Sequence, residues 1–163
     1  MTDTSEQLRN AMRYWATGIT VVTAAHENVR HGMTVSSFTS VSLEPPQVLV
    51  SLQQNTRTHD LIMRSRAFGI NMLGEQQQDI SDLFAGRIPD DENRFNQVET
   101  VKLSSNIPFI AGALAHLECK VVTTIGSGTH TIFIGEVTDL AISDNPSFPL
   151  LYFNRKYHTL SKG

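Results

Sequence analysis

The sequence predicts a mainly β fold, a small barrel or sandwich with a few short helices inserted. Three observations point there. Short β-branched runs recur, such as ITVVTAA at 19–25 and QVLVSL at 47–52, and such residues suit a pleated surface. Segment 113–125, ALAHLECKVVTTI, alternates apolar and polar residues with the period of a strand. The runs also follow one another closely, which favours antiparallel pairing over the long crossovers of a parallel sheet. Closing such strands into a barrel would remove their apolar edges.

The first segment reads as a helix. Thr4 and Gln7 stand in capping-box spacing. Leu8, Met12 and Trp15 form one apolar stripe, and Gly18 is a C-terminal stop. Strand 19–25 follows, then the polar turn HENVR, then strand 31–42. Pro45 and Pro46 force extended backbone and end that strand. The near-continuous apolar run 47–52 reads as a central strand. After the polar loop QQNTRT, residues 59–66 form a short helix with Thr58 as N-cap. Strand 67–73 is next, then helix 75–84 with Ile80, Leu83 and Phe84 on one side. Residues 85–110 read mostly as loop. In strand 113–125, Ala115, Leu117, Cys119 and Val121 face one way and His116, Glu118 and Lys120 the other. GSGT is a hairpin loop, strand 130–142 returns, and 149–160 is the last strand.

The 163 residues suit one domain spanning 1–163. A chain of this size buries roughly 70% of its unfolded surface and needs no disulfide or metal to fold. The net charge of −3 gives no basic footprint for nucleic acid, and no Lys/Arg run marks a membrane surface. The single cysteine, Cys119, excludes an intramolecular disulfide and fits a reducing compartment. Residues 1–10 are polar, unlike a signal peptide, and no apolar run is long enough to span a membrane. A cytoplasmic protein with neither nucleic-acid nor membrane partners is expected.

Hydrolytic chemistry finds little support. No G-x-S-x-G elbow is present, and Cys119 sits mid-strand as a small hydrophobe. The six histidines lack H-x-x-x-H and H-E-x-x-H spacing, so no metal is expected. Neither G-x-G-x-x-G nor a P-loop occurs, so a nucleotide would not be held in a Rossmann manner. The positive signal is a concentration of hydroxyls. Strand 31–42 carries Thr34, Ser36, Ser37, Thr39, Ser40 and Ser42, and Ser51 stands on the next strand. These hydroxyls fall on both faces, among Val35, Phe38 and Val41, where a solvated edge would carry polar residues alone. Short side chains leave backbone groups open to a planar polar ligand. The loop NTRT at 55–58 adds an arginine and a helix N-terminus, a combination that suits a phosphate.

The segment GMTVSSFTSVSLEPPQVLVSL at 32–52 resembles the signature of the flavin reductase-like proteins of the FMN-binding split-barrel superfamily. YWATGITVVTA (14–24), FGINML (68–73), Q..IS..FAG (77–86), IPFIAGALAHLECKV (107–121), GTHTIFIGEV (128–137) and PLLYFNRKYHTL (149–160) resemble further parts of that family, in the same order. The resemblance implies a six-stranded antiparallel Greek-key split barrel working as a homodimer. It implies hydride transfer from NADH or NADPH to FMN or FAD, the reduced flavin passing to a separate monooxygenase. The alternative on the same barrel is an electron carrier or binding protein that keeps its flavin.

Carried over by residue, Thr34, Val35, Ser36 and Ser37 would hold the isoalloxazine and ribityl chain, with Ser51, Leu52 and Gln53 continuing that wall. Asn55, Thr56 and Thr58 would lie near the phosphate, with Arg57 as a charge partner. Phe84, Ala85 and Gly86 would line the flavin from the facing side. His130, the catalytic candidate, and Tyr157 would border the nicotinamide, with Arg155 nearby. The chain departs from the family where members often carry Asp before this histidine and Gly near 155: here stand Thr129 and Asn154-Arg155.

Overall fold

Residues 3–86 and 93–160 are described by the computed structural model. Helix α1 (Thr4–Ala11) begins after Asp3, whose side chain accepts from Ser5 N, so Asp3 and not Thr4 is the cap. The predicted stripe does not run on in this helix. The chain tightens into a 3₁₀ turn at Met12–Tyr14 and enters the two-residue strand β1 (Thr17–Gly18).

Strands β2 (Thr20–His26) and β3 (Val29–Val35) form a hairpin. The expected single strand 31–42 breaks at Ser36-Ser37 and resumes as β4 (Phe38–Leu43). A turn, with a cis peptide before Pro45, leads into β5 (Pro46–Gln53). Helix α2 (Arg57–Ser65) follows. Its cap is Thr56, whose hydroxyl accepts from His59 N, and Arg66 ends it in the left-handed conformation. Thr58 lies inside the helix because the NTRT loop closes one residue pair earlier than its hydroxyls suggest.

Next come β6 (Ala67–Met72) and α3 (Gln78–Phe84), preceded by a 3₁₀ turn at Glu75–Gln77. The expected loop 85–110 lies partly outside the described residues. Its described part holds a 3₁₀ turn at Arg94–Asn96 and the short pair β7 (Thr100–Val101) and β8 (Phe109–Ile110). Strands β9 (Ala115–Ser127) and β10 (His130–Ile142) make the longest hairpin. The last predicted strand is a tight hairpin instead, β11 (Leu151–Phe153) and β12 (Lys156–His158). It turns at Asn154 and Arg155, both with positive φ. Asn tolerates that conformation, and the pair of positive φ values matches the twist of a two-residue hairpin.

The main sheet runs β3-β2-β6-β9-β10-β5-β4, antiparallel throughout. Its two outer strands are consecutive in the chain, joined only by Ser36 and Ser37. The sheet therefore curls until its edges meet at that break without hydrogen-bonding to each other. Counting 29–43 as one interrupted strand gives a six-stranded split barrel. The barrel interior holds Val22, Val50, Leu52, Ile70, Cys119 and Phe133, with Leu61 and Ile62 of α2 packed into it. Phe68 fills the space beside Gly135, where an added Cβ would lie 2.6 Å from the ring.

A second core lies outside the barrel. Val21, Leu83, Phe84, Phe95, Ile110 and Leu150 pack there, with Tyr152 and Tyr157 at its rim. The face of β9 expected to be polar is also covered. His116 and Glu118 are buried, with His116 Nε2 2.7 Å from Ile110 O and Glu118 Oε2 accepting from Ser105 N at 3.2 Å. The 105–110 segment satisfies both groups, so alternation misreports burial there.

Candidate functional site

The break in the strand is the focus of the site. Pairing ends at Val35↔Thr20 and resumes at Phe38↔Val50, so Ser36 and Ser37 stand outside both ladders. Beside the break opens a cleft of about 180 Å³. Thr34, Val35 and Ser36 form its first wall. Ser81 and Ala85, one helical turn apart from the start of α3's last turn into the loop, form the second. Tyr152 and Tyr157, paired across the β11–β12 hairpin, form the third.

The hydrogen bonds here fix shape. Thr34 Oγ1 donates to Ser81 O at 2.7 Å and so ties β3 to α3. Tyr157 OH donates to Asp82 Oδ1 at 2.9 Å and lies 2.9 Å from Ser81 Oγ, tying the hairpin to the same helix. Ser37 Oγ donates to Ser51 O at 2.6 Å and accepts from Ser51 N at 3.3 Å. The hydroxyl protons of Thr34 and Ser37 thus have protein acceptors. What the break itself offers a ligand is the exposed Ser36 side chain and unladdered backbone.

Further along β3 lies a second cavity of about 210 Å³. Arg30, His31 and Gly32 line it from β3, Arg57 from α2, and Phe84, Arg94 and Phe95 from the opposite side. No acidic residue is among its described lining. Arg30 lies over the Phe95 ring, 5.3 Å from its centroid, and Phe84 packs on Phe95 at 5.2 Å. The two cavities follow one strand, one bounded by small polar and aromatic groups and the other by cations. That arrangement fits a planar ring carrying a phosphorylated tail.

Other expected site residues fall elsewhere. Leu52 is fully buried in the barrel, which leaves only its backbone to face a ligand. Gln53 and Asn55 are exposed above the barrel, near the α2 N-terminus. Thr56 caps that helix and donates to Gln53 O at 3.0 Å. Thr58 is fully buried, its hydroxyl 2.7 Å from His31 Nδ1, so it does not open toward a phosphate. Phe84 is buried and reaches the cationic cavity rather than the cleft, while Gly86 is exposed with positive φ.

His130 pairs with Gln53 at the head of β10, exposed, its Nδ1 2.9 Å from Thr129 Oγ1. It is not part of the cleft wall. Arg155 is exposed at the hairpin turn. Sequence reasoning missed Ser81, Asp82, Tyr152, Arg30 and His31. The four-residue spacing of Ser81 and Ala85 signals one shared helix face, and the Asn154 turn makes Tyr152 the partner of Tyr157.

A third cavity of about 360 Å³ lies beyond Ile19. It is larger than the other two but mainly apolar, lined by Trp15, Phe38, Met72, Leu114 and Leu150 among others. It offers nothing suited to a charged cofactor.

The chain is similar to known proteins over nearly its whole length. The model of the flavin reductase like domain matches residues 12–161. The NADH-dependent flavin reductase StyB of Pseudomonas fluorescens is 40% identical over 152 residues, covering 92% of this chain and 86% of the relative. The reductase component of the 4-nitrophenol 4-monooxygenase/4-nitrocatechol 2-monooxygenase of Rhodococcus opacus is 39% identical, covering 93% and 78%. The solved structure of the flavin reductase PheA2 in its native state superposes with a TM-score of 0.88 at 40% identity, covering 99% of this chain and 100% of that one. With nearly the whole sequence matched and the split barrel in place, this chain belongs to the flavin reductase like domain family.

Proposed function

We propose that the protein is an NADH-dependent flavin reductase that supplies reduced FMN or FAD to a separate monooxygenase. The observation that carries this is the pair of cavities along β3 in a chain matched end to end by flavin reductases. The isoalloxazine takes the cleft between Thr34, Val35 and Ser36 and the Tyr152–Tyr157 hairpin. The phosphate lies toward Arg57 and Arg30. A bound flavin supplies the hydride acceptor, so the protein itself needs no strong acid, base or nucleophile.

The chain's part is to hold the ring and exclude water from its buried face. Ser36 and the unladdered backbone of the break would hold the ring, and Tyr152 and Tyr157 would bound it. His130 contributes from the β9–β10 turn, on the side where the nicotinamide approaches. The StyB relative is NADH-dependent, which makes NADH the donor of choice, and the Rhodococcus opacus relative is a monooxygenase component, which supports the partner.

A homodimer fits the surface. Leu8, Met12, Tyr14 and Trp15 are more than half exposed, and Trp15 lines the apolar third cavity. A second copy would cover them. Among the described residues no helix is long and apolar enough to cross a membrane.

The test is a steady-state assay of purified protein with NADH or NADPH and added FMN or FAD, followed at 340 nm. Colourless protein that oxidises NADH only when flavin is added supports the proposal. Yellow protein inert to both nicotinamides would make it a carrier. Light scattering after size exclusion tests the dimer, and a stable monomer at micromolar concentration would contradict it.

A further inference from the structure

We infer that Ser81 and Asp82 are positioning residues for Tyr157: they pin its phenol as a fixed wall of the cleft and so set how long a flavin ring stays bound. The inference rests on the flavin site proposed above.

Tyr157 stands on a hairpin that is not part of the barrel sheet. Strands β1, β11 and β12 form their own small sheet. At its base, Leu150 N donates to Leu73 O and Leu150 O accepts from the buried Ile19 N, each at 3.0 Å. Beyond that, its backbone attachments run to the exposed N-terminal segment. Thr17 and Gly18 pair with Tyr152 and Leu151, and Asn154 N donates to Arg13 O at 3.0 Å. Arg13 Nε returns a bond of 3.0 Å to Asn154 Oδ1. None of these contacts crosses the cleft.

The link across the cleft is made by side chains. A phenol carries one proton. It goes to the Asp82 carboxylate at 2.9 Å, so the phenol oxygen accepts the Ser81 hydroxyl proton at 2.9 Å. A carboxylate acceptor makes the first bond charge-assisted and the stronger of the two. Ser81 is fully buried, and its carbonyl accepts Thr34 Oγ1 from the opposite wall. One dipeptide therefore holds both walls: β3 through a backbone oxygen, the hairpin through two side chains. The gap between Thr34 and Tyr157 is set by Ser81-Asp82, with Tyr152 braced edge-on against the Tyr157 ring at 5.4 Å.

Removing the phenol hydroxyl keeps the ring's packing and unpins it. The ring wall then opens more often and a bound flavin leaves faster. The test is stopped-flow release of FMN from wild type, Tyr157→Phe, Asp82→Ala, Asp82→Asn and the Tyr157→Phe/Asp82→Ala double variant, with Tm measured for each. Tyr157→Phe and Asp82→Ala are expected to speed release by about tenfold each, and the double variant no more than the faster single one, because without the phenol hydroxyl Asp82 has no bond to it left to lose. Asp82→Asn stays within about threefold of wild type, since its amide oxygen still accepts from the phenol.

A wild-type release rate in Tyr157→Phe, or multiplicative effects in the double variant, would overturn the inference. A Ser36→Trp variant separates this from the site itself. It fills the cleft, so loss of FMN binding upholds the site. Unchanged FMN binding removes the flavin site, and the inference with it.

Discussion

Replacing Ser37 with alanine probes the point where the barrel is split. The Ser37 hydroxyl donates to Ser51 O at 2.6 Å and accepts from Ser51 N at 3.3 Å. It stands where the next rung between β4 and β5 would be, one step past Phe38↔Val50. Alanine strands both Ser51 groups. An orphaned buried polar group costs about 1–3 kcal/mol. Ser51 is half-buried, so water replaces part of what is lost, and about 2 kcal/mol is the working figure for the pair. At about 2–4 °C per kcal/mol for a domain of this size, the Tm falls by about 4–8 °C.

Flavin affinity should respond differently. From sequence, Ser37 is a direct ligand of the ring. In the structure its only proton is committed to Ser51 O, so FMN Kd in Ser37→Ala is expected within about threefold of wild type below the transition. Circular dichroism melts of the flavin-free protein and FMN fluorescence titration measure the two effects. Ser37→Thr, which keeps the hydroxyl, restores most of the Tm. An unchanged Tm together with a tenfold weaker FMN Kd would show that the hydroxyl serves the ligand and refute this account.

His130→Ala is expected to slow NADH oxidation by about tenfold while FMN Kd stays within about threefold, the worth of one hydrogen bond to the reacting partners; wild-type turnover would remove His130 from the mechanism. Gly135→Ala places a Cβ 2.6 Å from Phe68 Cζ and 2.9 Å from Cys119 Cβ, both enclosed in the barrel. Urea unfolding should show a loss of about 1–3 kcal/mol from this overpacking. Burial, with the Glu118 carboxylate adding to it, pushes the Cys119 thiol up to about 12. The unfolded thiol ionises near about 8.5, so the fold binds the proton more tightly than the unfolded chain between these values. Stability from this group is intact below that window and declines as pH rises through it. A disulfide reagent at pH 8 should label Cys119 only after denaturant is added.

Most strands were legible because their apolar residues follow the strand period or run unbroken, as in β5 and β10. The errors share one cause, which is that local signals were read without their tertiary partners. Leu8, Met12 and Trp15 form a helical stripe in sequence, but with nothing in the monomer to bury it the helix stops at Ala11. His116 and Glu118 look like a solvent face until the 105–110 segment folds over them. PLLYFNRKYHTL reads as one strand because Asn-Arg is a weak turn signal, whereas Asn-Gly is a strong one. The hydroxyl-rich segment 34–37 that borders the cleft stands out in the sequence, but the walls opposite it do not. Ser81, Tyr152 and Arg30 come from three elements far apart in the chain, and no spacing rule joins them.

The hydroxyl-rich strand has a different logic from the one its composition suggests. Hydroxyls along a binding strand look like donors for the ligand. Thr34 instead donates to α3, Ser37 to β5, and Ser42 accepts Glu44 N at the turn. Of these, Thr34 and Ser42 lie within their ladders and tie them to α3 and to the turn; only the Ser37 bonds stand in for a missing rung. That is necessary because the sheet must stop pairing at Ser36-Ser37 for the site to exist. Backbone released from a ladder would collapse onto solvent or a neighbour unless something else fixed it. The small Ser37 hydroxyl fixes it from within, without filling the cleft, and leaves unladdered backbone beside the cleft. Valine or leucine at 34 and 37 would satisfy the strand's packing but not the groups at Ser81 and Ser51. The serine at position 37 therefore follows from the split in the barrel, and the cleft beside it follows from the split in turn.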